Sequence, residues 1–423
     1  MTTRIPQASL EPLPELDQFL EPFRVHFARA EGPHALERYL TGLLTEHPNK
    51  NCDTLAHVVP GTSEQSLQGL LTTMVWDHDD LNRQRVQALL GLPTEGDGVL
   101  IFDDTGFAKQ GKASVGVARQ YSGTLGKVGN CQVAVNCHYA ERTIAWPVAT
   151  RLYLPEIWAN DGDRRLQAKV PEEITFQTKP QIALGLLDQA QAWGVRWTCV
   201  VADADYGDNP NFLAGLEERR QRYVVAVRSD FSVALAPRGG PVQRADAAVA
   251  AQPRGAWRAV RWREGSQGWL SGRFVALRCW RVAPEGKRRA GWLLGERVAE
   301  GDQEKVKYYW SNLRARTPLP TLVGYAHRRH WVEQYHEEAK ELLGWDHYQG
   351  RLWTGFHRQA VCVMLAYSFL VWQEWQQRQT QHRRGRPRRA FSPSPGPAAG
   401  VAGADPSAHL RLAPLASDQG IAA

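Results

Sequence analysis

The chain has 423 residues, of which 43% are hydrophobic, and this length predicts about two to four domains with sizeable cores. Its 51 lysines and arginines outnumber its 44 aspartates and glutamates, and the resulting formal charge of +7 favours an anionic partner. No apolar run approaches the roughly 18 residues of a membrane span, and the first residues lack a basic-then-apolar signal pattern, so we expect neither a membrane protein nor a secreted one. Six cysteines without a Cys-x-x-Cys pair predict reduced, buried thiols and a cytoplasmic location.

Residues 1–95 carry apolar side chains at helical intervals and no strand pattern, which predicts a helical domain. Thr62 and Gln65 have the spacing of a capping box for one helix, and the acids from Asp77 to Asp80 predict the start of a second. Two short helices that carry arginines fit a helix-turn-helix element that binds DNA. An ordinary helical subdomain fits the same pattern equally well.

The first strand pattern is Val99–Phe102, a short apolar run that ends in Asp103 and Asp104 and is broken by Gly106. It predicts a buried strand whose carboxyl end carries acid. The connection that follows, residues 105–130, is rich in glycine and lacks any acid. We expect it to approach a DNA backbone closely, with contacts from its four cations, Lys109, Lys112, Arg119 and Lys127. The connection is not a P-loop, because Ala113 stands where that motif requires Ser or Thr.

Two further strands are predicted at residues 133–138 and 144–153, and a helix at 179–193 precedes a strand at 198–202. This strand has the same pattern as the first, because its apolar run is followed by two acids, Asp203 and Asp205. In open α/β sheets the functional site lies outside the carboxyl ends of the strands, so we expect the acids of the two strands to converge. A helix at 211–220 and a strand at 223–227 complete the pattern.

Residues 230–312 change character to glycine-punctuated β-hairpins with six tryptophans, at positions 257, 262, 269, 280, 292 and 310. Tryptophans beside arginines can stack on unpaired bases, although packing between hairpins is the commoner use. We therefore predict a β-rich segment here and assign none of its tryptophans to a base.

Residues 329–343 contain the third acid, on a helix. At about 100° per residue, Arg329, Glu333, His336 and Lys340 fall on one polar stripe, and the apolar residues fall on the far side. A solvated helix face would give the same stripe. Residues 356–375 predict a closing apolar helix, and the tail at 376–423 is first basic and then of disordered composition.

Taken together, these acids resemble the active site of the DDE transposases of bacterial insertion sequences. The resemblance rests on Asp103-Asp104-Thr105-Gly106, Asp203-Ala204-Asp205-Tyr206-Gly207, and the stripe of residues 329–340, and it spans about residues 15–375. The stripe is similar to that of the branch with a Tyr, Arg, Glu and Lys signature. The spacing from Tyr325 fits Arg328, the spacing to Glu333 fits Arg329, and the helix face favours Arg329.

The resemblance implies an α/β fold with an RNase H-like mixed sheet flanked by helices, an N-terminal helical domain and a β-rich insertion. The implied catalytic and metal-binding acids are Asp104, Asp203 and Glu333, with Asp103 and Asp205 as the alternatives in each pair. The implied organisation is a DNA-end-binding domain (1–95), the first part of the core (96–229), the insertion (230–312), the C-terminal helices of the core (313–375) and the tail (376–423).

The implied reaction is metal-dependent DNA cleavage and strand transfer at terminal inverted repeats. Hard carboxylate ligands suit Mg²⁺, with Mn²⁺ as a substitute. The expected partners are double-stranded DNA, both transposon ends and target, and a second copy of the chain at synapsis. DNA contacts are expected from Tyr325, Arg329 and Lys340 in addition to the cations of the glycine-rich connection. The expected location is the bacterial cytoplasm, at the nucleoid.

Two other functions would also use some of these residues. A transposase-derived repressor or architectural protein without catalysis is the alternative in a different class, and the presence of all three acids speaks against it. A glycosidase would also use paired carboxylates, but neither the basic charge nor the glycine-rich connection fits it.

Overall fold

A computed structural model of the protein describes residues 7–265, 268–283, 286–300 and 303–383. Most of the predicted tail, from residue 384 onward, lies outside these residues. In chain order, the first helices and strands are α1 Pro14–Leu20, α2 Glu31–Leu43, α3 Cys52–Val58, α4 Glu64–Thr72, α5 His78–Leu90, β1 Val99–Ala108, β2 Ala118–Ser122, β3 Lys127–Ala140, β4 Ala145–Leu152, α6 Glu156–Ala159, α7 Gly162–Gln167, α8 Lys179–Ala192 and β5 Cys199–Ala202. The remaining ones are α9 Ala204–Gly207, α10 Pro210–Glu218, β6 Tyr223–Val227, β7 Ser232–Ala234, β8 Val242–Arg244, α11 Ala245–Ala250, β9 Arg258–Gly265, β10 Gly268–Val282, β11 Arg288–Glu300, β12 Gln303–Ser311, α12 Leu319–Ala326, α13 His330–Glu341 and α14 Trp353–Arg383.

The described chain divides into two compact units. Unit 1 consists of residues up to 202 together with those from 328 onward, and unit 2 consists of residues 203–327. The fold is therefore mixed α/β, with helices at the N-terminus and strands in both units.

The sheet of unit 1 is built around β3, which pairs antiparallel with β1 on one side and with β2 and β4 on the other. Strand β5 pairs parallel with β1, in a register that runs from Val99 opposite Cys199 to Phe102 opposite Ala202. This pairing confirms the prediction that the two acid-bearing strands are neighbours. Asp103 and Asp203 directly follow the last positions at which β1 and β5 pair with each other.

Strand β1 is longer than the predicted Val99–Phe102. Its pairing with β3 continues to Ala108, so that Asp103 and Asp104 lie inside the strand and not at its end. The glycine that was expected to break the strand instead permits close packing, because a Cβ at Gly106 would lie 2.0 Å from Oγ of Ser122.

The sequence predicts that residues 105–130 form a glycine-rich connection between two strands, but part of this segment is itself strand. Ser122 pairs with Lys127, so β2 and β3 form a hairpin around the short 3-10 segment Gly123–Leu125. Gly126 closes the turn with a φ of +61°, a conformation that favours glycine. Arg119 and Lys127 consequently lie on strands, and only Lys109 and Lys112 lie in a loop.

The N-terminal helices pack against α14 within unit 1. The ring of Phe19 lies 5.6 Å from those of Phe369 and Trp372, and Arg358 donates a 2.6 Å hydrogen bond to the carbonyl of Trp76. The predicted cap of α5 is confirmed in Asp77, which accepts from the backbone N–H of Asp80.

The predicted cap of α4 is wrong, and one arginine of α5 is buried. Helix α4 is capped by Ser63, which accepts from the N–H of Ser66, and not by Thr62. Arg85 on α5 is fully buried and does not face solvent. Its guanidinium donates to the carbonyls of Pro147 and Val148 and to Ser368 Oγ at 2.7–2.9 Å, so this arginine anchors the helix and is not placed to read DNA.

In unit 2, the strands follow the order β6-β12-β11-β10-β7-β8, with β9 paired to β10. The β-rich character that was predicted for residues 230–312 is confirmed by β7 to β12. Trp310 is buried, and Gly291 lies against its ring so closely that a Cβ would come within 2.2 Å. At least this tryptophan therefore serves packing, whereas Trp269 is exposed.

Five of the six cysteines are buried, and Cys52 is partly exposed. None of the helices in the described ranges combines the length and the apolar character that crossing a bilayer requires.

Candidate active site

Helix α13 presents Glu333 to solvent and packs its opposite face into unit 1. Trp331, Val332, Tyr335 and Ala339 are buried, as the helical periodicity predicts. Arg329 stands at the N-cap and forms an i,i+4 ion pair with Glu333. The choice of Arg329 over Arg328 as the arginine on the face of Glu333 is therefore confirmed.

The expected polar stripe is wrong at one position, because His336 is buried. After Gly344, which has a φ of +65°, the chain returns and places Trp345 over the helix, 6.1 Å from the ring of His336. Burial, followed by the charge of Lys340, lowers the pKa of His336 well below its usual range, so this imidazole is neutral at pH 7.

Arg329 connects β1 to α13 through two carboxylates. Its Nη1 donates to Oδ2 of Asp103 at 2.9 Å, and its Nη2 donates to Oε1 of Glu333. Asp103 is held from a second side as well, because its Oδ1 accepts the backbone N–H of Asp104 at 2.9 Å. An acid of the first strand and the acid of the late helix thus share one guanidinium group.

Asp104 makes a different contact. Successive side chains of a strand point to opposite faces of the sheet, and the carboxylate of Asp104 pairs with Nζ of Lys179, at the start of α8, at 2.6 Å. The contacts of unit 1 therefore bring Asp103 and Glu333 together and give Asp104 a separate cation. The sequence offered no local signal for the ion pair with Lys179, which comes from an element 75 residues further along the chain.

Arg328 contacts the opposite end of β1. It is buried, pairs with Asp97 at 2.6 Å and donates to the carbonyls of Asp97 and Ala140. Here, among the described residues, three carboxylates offer oxygens within 4.8 Å of one another: Glu95, Asp97 and Glu141. Sequence reasoning missed this cluster. None of the predicted acids belongs to it, and the cations of Arg142 and Arg328 compensate its charge.

Lys340 ends the stripe on α13 and ties the helix to the end of β1. Its Nζ donates to the carbonyl of Gly106 and to Oγ1 of Thr124, both at 2.9 Å. Burial lowers the pKa of Lys340 to about 8. In the described contacts this lysine orders the β2–β3 turn, a role that its predicted contact with phosphate did not anticipate.

The second aspartate pair belongs to unit 2. Asp203 caps the short helix α9, with Oδ1 accepting the N–H groups of Asp205 at 3.0 Å and of Tyr206 at 3.3 Å. Asp205 is more exposed and pairs with Arg228. Gly207 ends α9 where only glycine fits, because a Cβ would lie 1.9 Å from the carbonyl oxygen of Ala226.

The predicted DNA-contacting cations differ in exposure. Lys112, Arg119 and Lys127 are exposed. Lys109 is half-buried, donates to the carbonyl of Tyr348, and has its pKa lowered by burial. Tyr325 lies half-buried on α12 in unit 2.

A family model described as "DDE superfamily endonuclease" matches residues 22–269, which is more than half of the chain. The chain belongs to the DDE superfamily. A model described as "Transposase DDE domain" matches residues 177–369. Together the two matches span both aspartate pairs and Glu333, and a DDE domain implies an RNase H-like core, with which the mixed sheet of unit 1 agrees.

A curated relative of this DDE-superfamily chain is a probable transposase for insertion sequence element IS701 from Microchaete diplosiphon. It is 30% identical over 224 residues, which are 53% of this chain and 56% of the relative. The chain thus spans about half the length of the curated relative that it matches.

DDE-superfamily endonucleases generally use divalent metal ions, and the donors of the candidate site fit such an ion. Asp103 and Glu333 offer carboxylate oxygens, the hard ligands that Mg²⁺ and Mn²⁺ prefer. Both carboxylates already contact adjacent nitrogens of one cationic group, so they are close enough to share a positive charge.

Proposed function

We propose that this protein is a transposase that cleaves DNA at the terminal inverted repeats of an insertion sequence and transfers the cut strand to a target. The observation that carries the proposal is the arginine bridge between Asp103 and Glu333, which lie 230 residues apart in the chain. A carboxylate of the first strand and one of a late helix are thereby held at one place in a chain of the DDE superfamily.

The proposed carboxylates are one residue of the first aspartate pair, Asp203, and Glu333. The family motif favours Asp104 as the first, and that assignment stays a prediction. The contacts within unit 1 support Asp103 instead, because its carboxylate is the one that shares a cation with Glu333, whereas Asp104 pairs with Lys179. Asp203 is proposed from its position directly after β5, the parallel partner of β1.

A pair of divalent ions bound to these acids would activate the attacking hydroxyl and stabilise the leaving oxygen of an in-line displacement. The residues of the chain position the carboxylates. Strand β1 and helix α13 hold the carboxylates of the first pair and of Glu333, and Arg329 contacts one carboxylate from each element. Lys340 fixes the adjoining β2–β3 turn through Thr124. Placement on regular elements supports the geometric precision that such a displacement needs.

The proposed substrate is double-stranded DNA, both the ends of the element and the target. Lys112, Arg119 and Lys127 are exposed cations in the glycine-rich region beyond β1, and we assign them to phosphates. Tyr325 and Arg329 are assigned to the same backbone. Because two DNA ends have to be held together for transposition, we propose a dimer on DNA. Acting on a bacterial chromosome places the protein in the cytoplasm, at the nucleoid.

A cleavage assay tests the proposal. Full-length protein is incubated with a supercoiled plasmid that carries the DNA flanking its gene on both sides, with Mg²⁺, Mn²⁺ or EDTA. We expect cuts at the inverted repeats that require the metal and that are lost in Glu333→Gln and Asp203→Asn. Glu337→Gln is the matched control, because Glu337 is an exposed acid on the same helix.

The outcomes separate this function from the non-catalytic alternative. Retained cutting in both acid variants contradicts the proposed carboxylates. Specific binding of the flanking DNA, measured by mobility shift, without cutting by the wild type in any metal would identify a DNA-binding protein derived from a transposase.

A further inference from the structure

The guanidinium of Arg329 occupies one oxygen of each of the two carboxylates that a cation at this site would use. Oδ1 of Asp103 accepts a backbone N–H, and Oδ2 is the oxygen that accepts from Arg329. Oε1 of Glu333 accepts from the other terminal nitrogen of the same group. The planar fork of arginine suits this task, because it can hold two carboxylates in fixed positions where a lysine offers a point charge.

The surroundings make this contact more than a surface ion pair. The side chain of Asp103 is only 11% exposed, so its charge is poorly screened by water and needs a nearby cation. The side chain of Glu333 is 52% exposed, so the outer end of the bridge is open to solvent. The bridge is therefore anchored at Asp103 and accessible at Glu333.

We propose that Arg329 is a positioning residue that holds Asp103 and Glu333 together, competes with a divalent cation for their oxygens, and releases them when a DNA phosphate takes over its guanidinium. This inference rests on the proposed function and adds a coupling between metal and DNA. Because linkage is reciprocal, DNA raises the affinity for the metal by the same factor by which the metal raises the affinity for DNA.

Other cations near the end of β1 do not combine these properties in their described contacts. Lys340 donates to a carbonyl and a hydroxyl, neither of which is a predicted metal ligand. Lys179 contacts Asp104, the other member of the pair. Lys179 therefore provides a matched control: its removal also takes one positive charge from an aspartate of β1, on the opposite face of the sheet.

The experiment measures Mn²⁺ binding to the full-length protein by the loss of the free-ion EPR signal. Wild type, Arg329→Gln and Lys179→Gln are compared without DNA and with a mixed-sequence duplex of about 30 base pairs, whose own Mn²⁺ binding is subtracted. Without DNA, we expect Arg329→Gln to bind Mn²⁺ at least fivefold more tightly, within the range of about 5–150-fold that is typical of coupled sites. We expect Lys179→Gln to match the wild type.

With DNA, the wild type should bind Mn²⁺ more tightly than without it, and Arg329→Gln should show a much smaller gain. Unchanged or weaker Mn²⁺ binding in Arg329→Gln without DNA overturns the inference. So does tightening in Lys179→Gln alone, which would assign the metal to Asp104.

A conservative variant covers the case in which Arg329→Gln does not fold, as judged by circular dichroism. Arg329→Lys keeps the positive charge but loses the planar guanidinium that contacts both carboxylates. Without DNA, we therefore expect its Mn²⁺ affinity to rise less than that of Arg329→Gln, but measurably. An unchanged Mn²⁺ affinity in Arg329→Lys then overturns the inference.

Cleavage by the wild type separates the two proposals. If the wild type cuts DNA while the Mn²⁺ affinities of all variants agree, the coupling fails and the transposase function stands. A wild type that neither binds Mn²⁺ nor cuts DNA contradicts both.

Discussion

Nη1 of Arg329 lies 2.9 Å from Oδ2 of Asp103, a contact between residues 226 positions apart in the chain. This contact gives the two adjacent aspartates of β1 different surroundings. Asp103 faces helix α13 and Glu333, whereas Asp104 faces helix α8 and Lys179. Two neighbouring carboxylates that look interchangeable in the sequence can therefore be distinguished by experiment.

Asp103→Asn should reduce metal-dependent cleavage more than Asp104→Asn. Loss of a metal ligand should cost more than the about 10–100-fold that loss of an outer-sphere partner costs, so we expect more than about 100-fold for Asp103 and less than about 10-fold for Asp104. Single-turnover cleavage with Mg²⁺ measures both. The opposite ranking, in variants that melt normally, would restore Asp104 as the metal ligand.

The exposed cations beyond β1 should contribute to the salt dependence of DNA binding. Each phosphate contact adds about 0.9 to the slope of log K against log salt concentration. Replacing Lys112, Arg119 and Lys127 together by Gln should therefore flatten the slope by up to about 2.7. Fluorescence anisotropy between about 50 and 200 mM salt measures it.

Lys109→Gln is the control for this experiment. Lys109 is half-buried and donates to the carbonyl of Tyr348, so we expect lower thermal stability and an unchanged salt slope. If the salt slope instead flattens in Lys109→Gln and stays constant in the triple variant, Lys109 contacts DNA and the three exposed cations do not.

Two glycines should respond to alanine with opposite signs. A Cβ at Gly207 would lie 1.9 Å from the carbonyl oxygen of Ala226, so Gly207→Ala should lower the free energy of unfolding by about 1–3 kcal/mol. Gly185 lies exposed inside α8, and a Cβ there would meet no described atom within 4 Å beyond the backbone of its own helix, so Gly185→Ala should raise that free energy by about 0.5–1 kcal/mol. Urea titration measures both changes, and destabilisation of equal size at both positions would refute the steric argument.

Lys340 should make stability depend on pH in the alkaline range. Burial lowers its pKa from 10.5 to about 8, so between these values the unfolded chain binds a proton that the folded chain does not. The free energy of unfolding therefore rises with pH in this window, by at most about 1.4 kcal/mol per pH unit from this group. Relative to Lys340→Met, the wild type should gain stability between pH 8 and 10, as measured by urea titration. A constant difference between the two proteins would mean that Lys340 titrates normally.

The sequence was sufficient for those features that local patterns determine. The apolar run before Asp103 predicted strand β1, and the helical spacing of Arg329 and Glu333 predicted their shared face. Both follow from side-chain periodicity, which depends only on near neighbours in the chain.

Features that depend on distant partners were missed or wrong. The extension of β1 to Ala108 depends on pairing with β3, and the burial of His336 depends on the return of the chain to Trp345. The sequence also did not show which face of β1 would meet α13, because alternation gives two faces without saying which one the late helix covers. For this reason, the different partners of Asp103 and Asp104 could not be predicted from the sequence.

The burial of Arg85 has a consequence for the order in which the protein is made. Its partners include Ser368 on α14, and the rings of Phe369 and Trp372 on the same helix cover Phe19. Helices α1 to α5 are synthesised before α14, which begins at Trp353, 268 residues after Arg85. At about 5–20 residues per second, the ribosome needs roughly 10–50 s to supply it. During that interval, the apolar side chains of the N-terminal helices that pack against α14 stay exposed. We therefore expect a chaperone to bind this part of the nascent chain.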